Sequence, residues 1–444
     1  MKKTPRKLIA LIIALLVCIV AAVPASAADP DDKAKVKTMI DKTAEFLIEN
    51  ADVLENSDFD LLTLGLLQSG ASVPDGYMNT YLAYIKENLT EILAKDNNEG
   101  RIIYISLALT AAGLNPESFE GKNLLAPLST LADITDDMYS APYALMLLDN
   151  GYADFTGAGA TTRAGLISWL MGQLDSTDGG YRPDWGYGAE LDADTTGLII
   201  CALWPHRTQT GVQKAIDDAI AALSDTAVQD TDGGYFSYGT KSPESAARVL
   251  AALCTAGKNP ANAENGFVKA GGNPFTSLSS FYIAETGGFY SPYGEPDEPN
   301  SFSTRDGLMA IAAYSRLLNG KATVYTMDNA GLADEITALI GALPETITAS
   351  DIAAVDSAKY KYDALPGYLK TYITNSGKLS AAVTAANTLR NTSTTSTPSS
   401  TISSNQIQDP IPPTGNGEFP VMVFAMLAIC GIAVLLAHKA GNQT

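Results

Sequence analysis

Histidine is nearly missing from this chain: the sequence holds two, and one of them, His438, lies close to the C-terminus. His206 is then the only imidazole in the long central region. That excludes a His-rich metal site and argues against a Ser-His-Asp triad. Cysteine is equally scarce. Of four, Cys18 and Cys430 fall in apolar end segments, which leaves Cys201 and Cys254. Both sit inside apolar helical runs, which favours buried thiols, although an oxidising exterior would permit a bridge. No Cys/His spacing suggests zinc, and no metal site is expected. Positive charge is the third shortage, with 29 Lys and Arg against 49 Asp and Glu.

The ends account for several of those few cations. Lys2, Lys3, Arg6 and Lys7 precede an apolar run from Leu8 to Val23, and Ala25-Ser26-Ala27 follows it. A basic head, a short apolar stretch and a small-x-small site predict a secretory signal peptide over residues 1–27. At the other end, residues 391–418 are rich in Ser, Thr, Asn and Pro, a composition that cannot bury a core and predicts an exposed tether. An uncharged run from Phe419 to Ala437 follows, long enough for a spanning helix. Setting aside Lys2, Lys3, Arg6, Lys7, Lys439 and Glu418, residues 28–414 keep 24 basic and 48 acidic side chains, a formal charge of −24. Such a surface repels nucleic acid and anionic membranes and favours solubility or cationic partners.

"IPPTG" (Ile411 to Gly415), the apolar stretch and a basic tail together resemble the cell-wall sorting signal of Gram-positive bacteria. The resemblance implies that a sortase cuts between Thr414 and Gly415 and joins the Thr to the wall. Ile411 stands where that family has Leu, and the tail holds one Lys instead of a cluster. A plain single-span membrane anchor is the other reading. Either one places the middle of the chain outside the cell.

Between these ends the sequence repeats. Small-residue-rich runs finish at a helix-stopping glycine at Gly70, Gly113, Gly151, Gly257 and Gly320, and a sixth stops at Trp204-Pro205. Each follows a more charged, amphipathic segment: Ala34 to Asn50, Tyr77 to Lys95, Lys122 to Leu131, Thr162 to Leu174, Gly211 to Leu223, and Asn265 to Tyr282. A helix apolar on most faces must be surrounded by helices, whereas one with a charged stripe faces water. Six such pairs predict an all-α fold, an (α/α)6 toroid of six hairpins over residues 28–325. An open superhelical stack is the competing architecture.

Three connections share a finer signature. Asp178-Gly-Gly-Tyr181, Asp232-Gly-Gly-Tyr235 and Thr286-Gly-Gly-Phe289 place Gly179, Gly233 and Gly287 at intervals of 54 residues. With Gln173 and Gln229 ahead of the first two, they resemble the Q-x-x-x-DGG-aromatic repeats of the squalene cyclase and protein prenyltransferase superfamily. Intrinsic-factor-type cobalamin carriers share that toroid. The resemblance implies the fold and leaves the activity open.

The stretch from Asp178 to Gly197 carries the candidate chemistry. "DADTT", from Asp192 to Thr196, resembles the acid motif of class II terpene cyclases, which implies Asp194 as general acid with Asp192 coupled to it. Those cyclases usually need a second helical domain, and the zinc of the prenyltransferases needs a histidine that only His206 is there to supply. Cobalamin is a conceivable ligand, but the second domain that closes over the corrinoid is missing. Helix capping by Asp192 or Asp194 explains the pair without any chemistry. Trp185, Tyr181, Tyr187, Glu190, Tyr235, Tyr238, Tyr290 and Tyr293 are expected at one end of the ring, where rings and carboxylates together suit a glycan, a small molecule or a cation. The expectation is thus a monomeric surface protein binding such a ligand. A cyclase-type or polysaccharide-active enzyme and a purely adhesive protein are the rivals. Residues 334–390 predict a small module of three short helices, read as a spacer between ring and wall.

Overall fold

A computed structural model describes residues 30–50, 58–183, 189–237, 239–295 and 298–394. The expected signal peptide, the Ser/Thr-rich tether beyond Thr394, the sorting residues Thr414 and Gly415 and the apolar run after them lie outside these. Among the described residues the chain is all-α, with sixteen helices and one two-stranded ribbon, Phe236–Ser237 (β1) against Thr240–Lys241 (β2). Six helices are buried on nearly every face: α2 (Asp58–Ser69), α4 (Glu99–Ala111), α6 (Ser140–Asp149), α8 (Ala193–Leu203), α10 (Pro243–Thr255) and α12 (Ser301–Leu318). Outside them run α1 (Pro30–Glu49), α3 (Asp75–Ala94), the one-turn α5 (Leu131–Thr135), α7 (Arg163–Gln173), α9 (Val212–Ser224) and α11 (Pro274–Ser279).

The ends of the buried helices follow from their glycines. Gly70, Gly113, Gly151, Gly257 and Gly320 all take positive φ, between +64° and +109°. At three of these ends the next residue's amide reaches back five positions: Leu114 to Leu109, Lys258 to Leu253 and Lys321 to Arg316, at 2.8–2.9 Å. These bonds satisfy carbonyls that the helix itself leaves bare.

Each buried helix packs against the next in chain order, and α12 returns to pack on α2, so their contacts form a closed cycle. Small residues allow the close approaches. A methyl on Gly65 of α2 would lie 3.1 Å from Leu308 and Met309 of α12, and one on Gly197 of α8 would lie 2.8 Å from the Arg248 carbonyl of α10. The outer layer closes by a second device, the paired-glycine loops. At φ of +84° to +86°, Gly179, Gly233 and Gly287 each press backbone against the following outer element. Gly179 meets Asp218 and Ala219 of α9, Gly233 meets Asn273 at the start of α11, and Gly287 meets Lys42 of α1. The third step thus lands on the first hairpin, where Thr43 Oγ1 donates to the Gly287 carbonyl at 2.6 Å.

Two outer segments differ from expectation. Lys122 to Leu131 is not a helix: after a 3-10 turn at Phe119–Gly121 it forms another at Ala126–Ser129, leading into α5. Pro127 and the Asn123 side chain, which accepts from the Leu125 amide, favour turns there. Asn265 to Tyr282 keeps only the six residues of α11, because Gly266, Gly271 and Gly272 break the run and Pro274 restarts it under an Asn273 capping box.

The C-terminal helices α13 (Leu332–Gly341), α14 (Ile352–Asp363), α15 (Gly367–Lys370) and α16 (Ser376–Thr394) belong, up to Arg390, to the same compact unit as the ring. The Ala333 amide donates to the Gly113 carbonyl at 3.0 Å, and Tyr368 Oη to Ala112 at 3.1 Å. Tyr372 stacks on Phe119. The module therefore buttresses the α3–α4 corner, whatever distance it also spans.

Ring closure makes a stability prediction. Gly287→Ala should cost about 3 kcal/mol, since its φ is +85° and a methyl would meet the Lys42 carbonyl at 2.3 Å. Gly320→Ala, where a methyl meets nothing, should cost only about 1 kcal/mol. Chemical denaturation of residues 28–390 compares them, and equal losses would contradict the closure contact.

Candidate functional site

Neighbouring buried helices meet through their first turns, so their N-termini share one end. Arg101 of α4 reaches Asp60 of α2 at 3.4 Å, and Ser303 of α12 donates to Glu244 of α10. The loops feeding α8, α10 and α12 repeat one pattern. The amides of Asp192, Ser242 and Asn300 donate to the carbonyls of Tyr181, Tyr235 and Phe289 at 2.8–2.9 Å. The same three residues then cap the helices, accepting from Thr195, Ser245 and Ser303 at 2.8, 3.1 and 3.0 Å. Asp192 is therefore a helix cap, equivalent to a serine and an asparagine elsewhere in the ring.

Asp194, two residues past its cap, corresponds to Glu244 in α10 and to Phe302 in α12. It stands half-buried in the first turn of α8, and burial, then the charge of Asp192, push its carboxyl up to about 7. The Ser245 hydroxyl and Arg248 pull the other way, and Asp306 adds to the rise. Ser245 is 1% exposed, buried beside the Asp194 carboxyl that its hydroxyl bears on. On the other side stands Tyr139, at the entrance to α6, its hydroxyl pushed up to about 12 by burial and by Asp192 and Asp194.

Close to Asp194 lies a buried charge network that the sequence reading passed over. Arg248 grips Asp306 with two bonds of 3.0 Å and donates to Tyr143 Oη at 2.6 Å, while Arg305 Nε reaches Asp306 at 2.9 Å. All three charged residues are under 9% exposed. Burial alone raises the Asp306 carboxyl, but the two guanidiniums outweigh it and hold the group below the ordinary carboxylate range. The available signal was charge inside apolar helices: Arg248 in "AARVLAAL" and Arg305-Asp306 before "GLMAIAAY". The opposite end is stoppered by the segment after α12. Tyr325 is 6% exposed and sets its ring 6.1 Å from Tyr143. Asn150 pins it, donating to the Tyr325 carbonyl at 2.9 Å and accepting from the Met327 amide at 2.8 Å.

The expected ligand-binding rings separate into groups. Tyr235 is a correction: it is 1% exposed and its hydroxyl donates to the Leu223 carbonyl, so it belongs to the core. Tyr290 is half-buried against Phe281, and Tyr181 is half-buried. Tyr293 is 69% exposed and donates to the Ser237 carbonyl of the preceding loop. Glu190 is exposed. Trp185, Tyr187 and Tyr238 lie outside the described residues. The sequence reading missed three more exposed rings: Tyr139, Phe236 and Phe302, each 42–48% exposed at the entrance to a buried helix. Arg305 lies 3.8 Å over the Phe302 ring.

The remaining candidates for chemistry are engaged elsewhere. His206 Nε2 meets Asp149 at 2.8 Å, at the opposite end of the buried helices. Cys201 and Cys254 are free, buried thiols, that of Cys201 pushed up to about 12 by burial. Comparison of the chain with family models, curated proteins and solved structures gives no match.

The raised Asp194 pKa has a consequence for stability. The folded state holds this proton more tightly than an ordinary carboxyl of 3.8, so stability should fall as pH rises from about 4 to about 7. With partial solvent access the loss is about 1–2 kcal/mol. Asp306 acts oppositely, losing its contribution as pH drops below the ordinary carboxylate range. Denaturation curves at stepped pH should show Asp194→Asn flattening the slope from 4 to 7 and leaving the acid limb. An unchanged slope would contradict the assignment.

Proposed function

We propose that this chain is exported, held at a Gram-positive type of cell surface by its C-terminal signal, and folded as an α/α toroid that binds a small molecule or glycan at the loop end of its ring. The closed cycle of buried helices supports the toroid, and the paired-glycine repeats support kinship with the cyclase and prenyltransferase superfamily. The binding reading rests on one observation above others. Four of the six exposed large apolar side chains among the described residues, Tyr139, Phe236, Tyr293 and Phe302, border the entrances to buried helices at this end. Acids stand among them: Asp194, Glu190, Glu244 and Glu295. Exposed rings with carboxylates offer stacking faces and acceptors for hydroxyl-rich or cationic ligands.

A second reading is favoured by Asp194 itself. A carboxyl at about 7 suits a general acid, as a cyclase-type or polysaccharide-active enzyme requires. Against the cyclase form, Arg248, Asp306 and Tyr325 occupy the centre in which an apolar substrate would lie.

A thermal-shift screen of residues 28–390 against glycans, corrinoids and isoprenoids tests the proposal. A ligand at about a hundred times its dissociation constant stabilises by about 2.7 kcal/mol, which should raise Tm by about 3–4 °C in a chain of this length. A hit that turns over, with turnover lost in Asp194→Asn, would move the assignment to the enzyme. Silence across all three classes would overturn binding and leave the adhesive alternative.

A further inference from the structure

We infer that the seam between the first and last hairpins holds a binding site for a small neutral aromatic ring of phenol size. A cavity of about 180 Å³ opens there, among the last turn of α1, the first turns of α2 and the start of α12. Its floor is buried and almost wholly apolar: Leu47, Phe59, Leu62 and Thr304 are each at most 6% exposed. The Thr304 hydroxyl is already engaged, accepting from the Phe289 amide at 3.0 Å, so it adds no unmet polar group to that floor. Half-buried Phe46, Asn50, Pro299 and Ser301 form the mouth. None of the exposed rings or acids at the loop end lines this cavity, so it is a site apart from them.

Size, walls and charge select the occupant. An apolar void of about 150 Å³ lined by leucine, isoleucine and phenylalanine takes up benzene. A ring with one small substituent therefore fits the volume at the seam. Phe46 and Phe59 offer aromatic contacts, worth more to another ring than to an alkyl group of equal area. Among the described residues no charged side chain lines the cavity, so an ion would leave water without a counter-charge. Asn50 sets the direction. Its Nδ2 donates to the Phe46 carbonyl at 2.7 Å, which leaves Oδ1 to accept from a hydroxyl at the mouth. Water gains few hydrogen bonds against such walls, so a ring that displaces it gains free energy.

Isothermal titration of residues 28–390 with phenol should give a dissociation constant of about 1 mM or tighter. Cyclohexanol, which keeps the hydroxyl and loses the aromatic face, should bind about threefold more weakly or worse. Benzoate, charged at neutral pH, should bind about tenfold more weakly or worse. Asn50→Leu should weaken phenol about threefold, and Ser301→Phe, which fills the mouth, should abolish its binding. If the Ser301 variant fails to fold, hydrogen exchange on the unsubstituted protein locates the site. Phenol should slow the amides of residues 46–50, 59–62 and 301–304. Absence of phenol binding, equal binding of cyclohexanol or benzoate, or protection confined to other segments would each overturn the inference. So would binding that survives in Ser301→Phe and is lost in Tyr293→Ala, which would assign it to the exposed rings.

Discussion

Everything in this molecule depends on the contact between its first and last hairpins. The paired-glycine loop carrying Gly287 lies so close to α1 that a single methyl could not be inserted, and Thr43 closes the gap with a hydrogen bond to the glycine's carbonyl. Inside, Gly65 lets α2 and α12 approach to the same end. Without that seam the buried helices at the two ends would each expose an apolar flank to water, at roughly 25 cal/mol for every Å² uncovered. Closure also brings six helix N-termini to one end, and that convergence concentrates caps, carboxylates and exposed rings in one place.

The interior is not an empty lumen. Two arginines share Asp306, with Tyr143 accepting from one of them, and Tyr325 enters from the far end to pack against Tyr143. Such a cluster is costly to desolvate and stays only where its hydrogen bonds are met, so breaking one partner strands another. Its structural value is rigidity: the Arg248–Asp306 pair ties α10 to α12 close to Asp194.

Much of this was legible in the residues. Helix-stopping glycines marked the ends of the buried helices because a positive φ is written in residue type. The 54-residue spacing of Gly179, Gly233 and Gly287 announced the repeated loop for the same reason. What stayed hidden depended on partners distant in the chain. Arg248 and Asp306 lie 58 residues apart, and nothing local to either reveals the pairing. Tyr235 and Tyr293 fall at different steps of the repeated loop: Tyr235, like its equivalent Phe289, enters the core, while Tyr293, four residues past Phe289, stays at the surface. Lys122 to Leu131 carries apolar residues at helical intervals, but Pro127 and Asn123 decided for turns. Asp192 and Asp194 looked like a matched pair. The ring's own symmetry divided them, since the first has capping equivalents at Ser242 and Asn300, whereas the second is matched by Glu244 in α10 and by no acid in α12.

Native-state hydrogen exchange on residues 28–390 tests the closed ring most directly. In a closed ring no hairpin is terminal, so amides at Leu61 to Leu66 in α2 and at Leu308 to Ala313 in α12 should exchange only through global unfolding. They should share the opening free energy of α8 and α10. An open stack would fray from its ends, and faster exchange confined to α1, α2 and α12 would contradict the account.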